Sequence, residues 1–278
     1  MRYGSEAHKE LFCRTFVETH DPYEPAALPW PDLPSDVLER LRSLPVWDEA
    51  VSTERETALK VRARALVEPD AVVREALALQ AYEEERHSAL LSTMTARYGI
   101  PVRSQPEPRL PRDPEWALLR VGYGECFDSF FAFGLFALAR DSGYFPPELV
   151  RLFEPVMQEE ARHILFFVNW AAFRTSRLPV PRKPGYAASR AFAIALQVAS
   201  RIRTALEVGR ADTQENFAMK SHTAFADVSV RSFLELCLAE NERRLGPYDP
   251  RLLRPTLVPG LARALLRVLP DRTRRRAA

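Results

Sequence analysis

The sequence predicts an all-α protein: a four-helix bundle made of two helical hairpins joined by a long crossover, with further helices after it. Three observations predict it. Apolar residues recur at alternating spacings of three and four through long segments, and no segment alternates with the period of two of a convincing strand. Glycine is scarce, ten in 278 residues, which suits helices. The 23 prolines fall mostly between the periodic segments, where they act as breaks.

In chain order, residues 1–45 read as a lead-in with short helices. Ser5 is a natural N-cap for a helix to about Thr19, then Pro22, Pro25, Pro29, Pro31 and Pro34 break the chain. A second short helix is expected from an N-cap at Ser35 to Leu44, ended by Pro45. From Val46 the bundle begins, and it is assigned to 46–174. Trp47, Val51, Glu54, Ala58, Val61 and Ala65 share one helix face. Pro69 ends that helix and suits the first turn of the next. There Val73, Leu77, Gln80, Glu84, His87, Leu91 and Met94 form the matching face, and Gly99 with Pro101 ends it. Residues 100–114 hold five prolines and read as the crossover. The third helix runs from near Pro114 to Arg140. The fourth starts at Pro146-Pro147 and continues to about Arg174, with Pro155 expected to kink it or delay its start. Residues 175–270 are assigned to accessory helices, at 187–210, 224–244 and roughly 257–268, packed on the bundle. Residues 271–278 read as a disordered basic tail.

Composition excludes several classes. A net charge of +2 implies neither nucleic acid nor an acidic substrate. Cys13, Cys126 and Cys237 are odd in number and widely spaced, so a disulfide framework or zinc ribbon is not expected, and a reducing cytoplasm is. Met1 to His20 carries charges throughout, unlike a signal peptide. The longest uncharged apolar run, between Asp128 and Arg140, is too short to span a bilayer. Leu257 to Arg276 is apolar with frequent arginines. It is expected to pack on the bundle with a solvated tail, docking on a membrane surface being the other reading.

The chemistry lies in a repeated pentad. Helix two holds Glu83-Glu84-Glu85-Arg86-His87 and helix four holds Glu159-Glu160-Ala161-Arg162-His163. Both read Glu-Glu-x-Arg-His. With 37 acidic and 39 basic residues, composition alone would place acid-acid-x-base before two of the five histidines only about once in 16,000 cases. Glu and His three apart project from one helix face, so each helix can offer a carboxylate and an imidazole to a metal. Two such helices supply two metals, and the other two helices each need one inward glutamate. Glu54 lies 15 residues before Pro69 and Glu84 lies 15 beyond it, at matching height. Glu54 shares the apolar stripe, whereas Glu49 and Glu56 share a polar face with Thr53 and Lys60. Glu125 matches Glu160 in the second hairpin. The predicted ligands are therefore Glu54, Glu84, His87, Glu125, Glu160 and His163. Four buried carboxylates without cations would be prohibitively costly. Glu83, Glu85, Arg86, Glu159 and Arg162 are expected to form surface salt bridges.

These motifs resemble the ferritin-like superfamily of non-haem di-iron carboxylate proteins over residues 46–172. The resemblance rests on the paired Glu-x-x-His motifs and two single glutamates, and it does not select a subfamily. The CxxC iron site usual in rubrerythrins is missing, and a further stretch of about 100 residues follows that storage ferritins lack. The resemblance implies two iron ions, or manganese, with dioxygen, a small organic substrate and an external electron donor as partners. A homodimer is open, no nucleic-acid partner is expected from the charge, and membrane contact is the less favoured reading of the C-terminal stretch. Asp128, three residues after Glu125, could orient a ligand histidine from behind, or equally make a simple polar contact elsewhere. Phe127, Phe130 and Phe131 could line an apolar substrate pocket, or simply fill the core. His222 could supply a seventh ligand, though surface or core packing is the plainer role. The function expected is an oxygenase or oxidase of a small apolar compound. A ferroxidase and a non-catalytic, metal-stabilised module are the alternatives.

Overall fold

A computed structural model describes residues 1–44, 46–103, 106–208 and 228–269, with only the backbone of 204–208. Among these residues every regular element is helical and no strand occurs. The helices are α1 (Glu6–Glu18), α2 (Ser35–Ser43), α3 (Trp47–Leu66), α4 (Ala71–Arg97), α5 (Pro114–Asp141), α6 (Pro147–Arg151), α7 (Glu154–Arg177), α8 (Lys183–Val208), α9 (Val230–Leu245) and α10 (Leu257–Val268).

Local chemistry explains most boundaries. The Ser5 hydroxyl accepts the His8 N–H, Asp70 accepts those of Val72 and Val73, and Asp113 accepts that of Trp116. Each satisfies first-turn donors that have no partner within the helix. Gly99 follows α4 with φ +60°. That left-handed conformation penalises any side chain, so the helix stops there. Ser35 is the first residue of α2 rather than its cap, the cap position falling to Pro34. The fourth helix is interrupted: α6 ends at Arg151 and α7 starts at Glu154, with Pro155 in its first turn. Proline has no N–H and is tolerated only there, so the chain turns before it. The helix expected from 187 begins earlier, at Lys183, and the one expected from 224 is described from Val230. Pro45, His222, the 209–227 stretch and the tail from Pro270 lie outside the described residues.

Four long helices, α3, α4, α5 and α7, form the central layer, with α3 packed on α4 and α5 packed on α7. The end of α3, the start of α4, the start of α5 and the end of α7 meet around one cleft of about 430 Å³. So α4 and α5 start at the same end of the bundle. The connection 98–113 must then run its whole length. A 27-residue helix is roughly 40 Å long, and 16 extended residues reach roughly 50 Å, so the span is feasible. α1 packs across α4 and α7, and α8, α9 and α10 cover α5. Glycines permit the closest approaches: a Cβ on Gly122 would overlap the Phe167 ring of α7, and one on Gly134 would overlap the Cys237 sulfur of α9. The central core holds Leu77, Leu118, Phe133, Ile164, Phe167 and Trp170, all essentially inaccessible. α5 is long and apolar enough to cross a membrane, but most of its apolar window is buried within the bundle.

Candidate metal centre

The two pentads face each other across the middle of the bundle. Their histidine rings lie 5.6 Å apart and are tilted by 33°. Each imidazole has an inner and an outer nitrogen. His87 Nδ1 is 3.3 Å from Glu160, 3.6 Å from Glu54 and 3.9 Å from Glu84. His163 Nδ1 is 2.9 Å from Glu84 and 3.9 Å from Glu160. Two groups of donor atoms result, each close enough to surround one ion: Glu54, Glu84, His87 and Glu160, and Glu84, Glu125 and His163. All six residues picked from the sequence thus come together, with Glu84 common to both groups. Glu56, a rival by number for Glu54, pairs with Lys60 at the surface.

The inner atoms are buried and short of partners. Glu84 Oε1, Glu125 Oε1, His87 Nδ1 and His163 Nδ1 are inaccessible and make no hydrogen bond. Native interiors rarely leave such groups unsatisfied, and here four point at one another. The outer edges, by contrast, carry hydrogen bonds. Gln80 reaches Glu125 at 3.4 Å, and Ser129 donates to Glu160 at 3.0 Å.

The outer nitrogens show what the sequence reading missed. His87 Nε2 bonds Glu159 at 2.8 Å, and His163 Nε2 bonds Glu83 at 2.9 Å. Each pentad therefore supplies the carboxylate that holds the other's histidine. The arginines follow the same exchange, with Arg86 on Glu159 and Arg162 on Glu83. Glu83, Arg86, Glu159 and Arg162 are all buried, at 0–4% exposure. The expectation of surface salt bridges is thereby corrected for these four. It holds for Glu85, which pairs with Arg62 in the open. The cause is helix geometry: one residue before Glu84 turns a side chain by roughly 100°, toward the neighbouring helix rather than solvent. The readable signal was that the repeat extends beyond Glu-x-x-His to the leading glutamate and the arginine.

Asp128 does not orient either histidine. It points outward, pairs with Arg201 and is more than half exposed. The role expected of it falls to Glu83 and Glu159. Phe127 and Phe130 lie in a buried cluster with Leu135, Phe233, Leu234, Cys237, Val258 and Ala262, and Phe131 packs on its edge.

The lead-in chain closes the other side. Arg162 donates to the Phe16 carbonyl at 2.6 Å and to the Thr19 hydroxyl at 3.0 Å. His20 reaches Glu83 at 2.5 Å. On the Glu159 side the Arg86 guanidinium lies 3.9 Å above the Tyr23 ring.

Electrostatics fit a centre that wants cations. Burial pushes the Glu54 carboxyl up to about 8, against the pull of His87. Burial, followed by the charges of Glu84 and Glu160, also raises Glu125 well above the carboxylate range. Burial alone would lower both histidines, yet Glu159, Glu160 and Glu54 hold His87 well above its usual value. Glu84 and Glu83 do the same for His163. Burial would raise Glu83, but His163 and Arg162 hold it at about 2. Protons are thus favoured on Glu54, Glu125 and the two histidines, while His87, His163 and Ser129 hold Glu160 below its usual value against its burial, and Glu83 stays ionised.

No protein-family model, no curated protein and no solved structure matches the chain.

Proposed function

We propose that the chain is a ferritin-like dinuclear metalloprotein, holding two iron ions with manganese as the main competitor, and that it activates dioxygen to oxidise a small organic substrate. The observation that carries this reading is the convergence of four buried donor atoms of Glu84, Glu125, His87 and His163, none of which makes a hydrogen bond. Mixed imidazole and carboxylate donors suit Fe(II) or Mn(II), and such a pair supplies redox chemistry and oxygen activation at its open positions.

Charge favours two ions over one. The centre holds four carboxylates, Glu54, Glu84, Glu125 and Glu160. Two divalent ions neutralise them, whereas one would leave two of the carboxylates dependent on protons for neutralisation. Behind them Glu83 is balanced by Arg162 and Glu159 by Arg86. Donation of each Nε2–H to an outer carboxylate leaves the Nδ1 lone pair facing inward, fixes the ring and raises its basicity. Glu84 belongs to both donor groups and would be shared between two ions, and Glu160 lies 3.3 Å from His87 Nδ1 and 3.9 Å from His163 Nδ1. Glu54 and Glu125 complete one group each.

Elemental analysis of protein loaded anaerobically with Fe(II) tests the reading, with about two equivalents per chain expected. Only trace transition metal after loading would refute it. One observation favours a second reading, in which Fe(II) itself is the substrate: Phe127 and Phe130 are packed into the core beneath α9 and α10. Oxygen consumption distinguishes the two. An oxygenase or oxidase turns over repeatedly only with an organic reductant or substrate. A ferroxidase consumes oxygen in proportion to added Fe(II) and is indifferent to organic additives.

A further inference from the structure

The charge of the chain is unevenly placed. Residues 251–278 contain eight arginines and one acid, Asp271, for a net charge of +7. The whole chain is only +2, so residues 1–250 carry −5. The same stretch holds α10, whose two faces differ. Val258 and Ala262 are buried in one cluster with Phe127, Phe130, Phe233 and Leu234, and Pro259 is buried too. Leu257, Leu261, Leu265 and Val268 stand 41–76% exposed. Their spacing of four, four and three makes one continuous apolar stripe. Arg263 and Arg267 are exposed beside it and form no ion pair among the described residues. The helix is anchored from below: Arg231 of α9 donates to the Leu266 carbonyl at 2.8 Å and to that of Leu269.

We propose that α10, through its exposed apolar stripe and the flanking Arg263 and Arg267, docks the protein on an anionic lipid bilayer. An apolar stripe flanked by arginines lies along the headgroup boundary, leucines inward and guanidinium groups among the phosphates. A nucleic acid would use the arginines and leave the leucines in water. A second copy of the chain would cover the leucines but bring two +7 segments together, which repel. An anionic bilayer uses both features, each arginine near the surface adding to the attraction. The proposal is independent of the metal centre.

Co-sedimentation with vesicles of phosphatidylcholine, with and without phosphatidylglycerol, tests it. The bound fraction of full-length protein should rise about tenfold with the anionic lipid and fall at high salt. The Leu261→Asp/Leu265→Asp variant alters only exposed positions, so it should keep its helicity and lose about tenfold in binding. Arg263→Glu/Arg267→Glu should lose binding to anionic vesicles specifically. Failure to bind either vesicle overturns the proposal, as does binding that Leu261→Asp/Leu265→Asp leaves unchanged. A concentration-dependent dimer in light scattering that the same leucine variant dissociates would assign the stripe to self-association and overturn it too. Metal-free protein should bind vesicles as well as loaded protein does, so failure here and failure of the metal reading are separable.

Discussion

The pentads Glu83–His87 and Glu159–His163 are the same pattern in two settings. On the inside they are near mirror images: each offers a glutamate and an Nδ1, and each glutamate lies between both histidines. On the outside they differ. Glu83 carries three cationic or hydrogen-bonding partners, His163, Arg162 and His20, and Arg162 is tied in turn to Phe16 and Thr19. Glu159 carries two, His87 and Arg86. The inner symmetry comes from helix periodicity, whereas the outer asymmetry comes from where the lead-in chain happens to lie. Ligands are set by local sequence, and their support is set by tertiary structure.

The sharpest break in the comparison would come from the histidines. His87→Ala and His163→Ala should each lower metal affinity by more than about 100-fold, beyond what removal of an outer partner costs. Circular dichroism should show the helices intact. Unequal losses, measured by competition with a chromophoric chelator, would mean the inner halves are not equivalent. Next in size, Glu83→Gln and Glu159→Gln should each lower affinity by about 10- to 100-fold. The Glu83 variant should also be the less stable of the two in urea, because Glu83 holds His20 as well as an arginine and a histidine, and breaking a buried pair costs about 3–5 kcal/mol. Equal stabilities would erase the outer asymmetry. Acidification acts on both halves together. Both histidines hold their protons above the usual range, so each metal must displace protons, and affinity should fall as pH falls. A chelator titration repeated across pH that showed no slope would place the metal elsewhere. The smallest effect expected is that of Thr19→Ala, which removes one hydrogen bond to Arg162 and should cost about 1 kcal/mol, on the Glu83 side only.

The sequence made the inner layer legible and hid the outer one. Glu84, His87, Glu160 and His163 could be read because spacing alone puts them on one helix face. Glu54 and Glu125 needed only the matching of heights within a hairpin. Glu83 and Glu159 look like surface charges from the sequence, because nothing local to a charged residue beside a candidate ligand shows that the neighbouring helix will cover it. Of the two roles open to Asp128, the structure has the polar contact away from the histidines: it occupies an apolar helix, yet its face is the one Arg201 meets. The proline breaks located the loops well, and Pro155 was read as a disturbance without the sequence showing that it splits α6 from α7. The packing of α1 against α4 and α7 had no local signal, since contacts between residues 16–20 and 83 or 162 are separated by more than sixty positions.

The exchange of carboxylates between pentads also has a consequence for how the chain finds its final alignment. α4 belongs to the first hairpin and α7 to the second, and they are joined through a crossover that imposes little on their relative height. A slip of one helical turn between them is about 5.4 Å, a shift that apolar side chains can absorb by repacking. The pairs His87–Glu159, His163–Glu83, Arg86–Glu159 and Arg162–Glu83 cannot absorb it. All four would break at once and leave buried charges alone. The pentads thus act as a vernier between the hairpins, with a single reading at which every mark coincides. Neither hairpin carries that mark by itself, so the metal-binding geometry can arise only after the two have docked, late in folding.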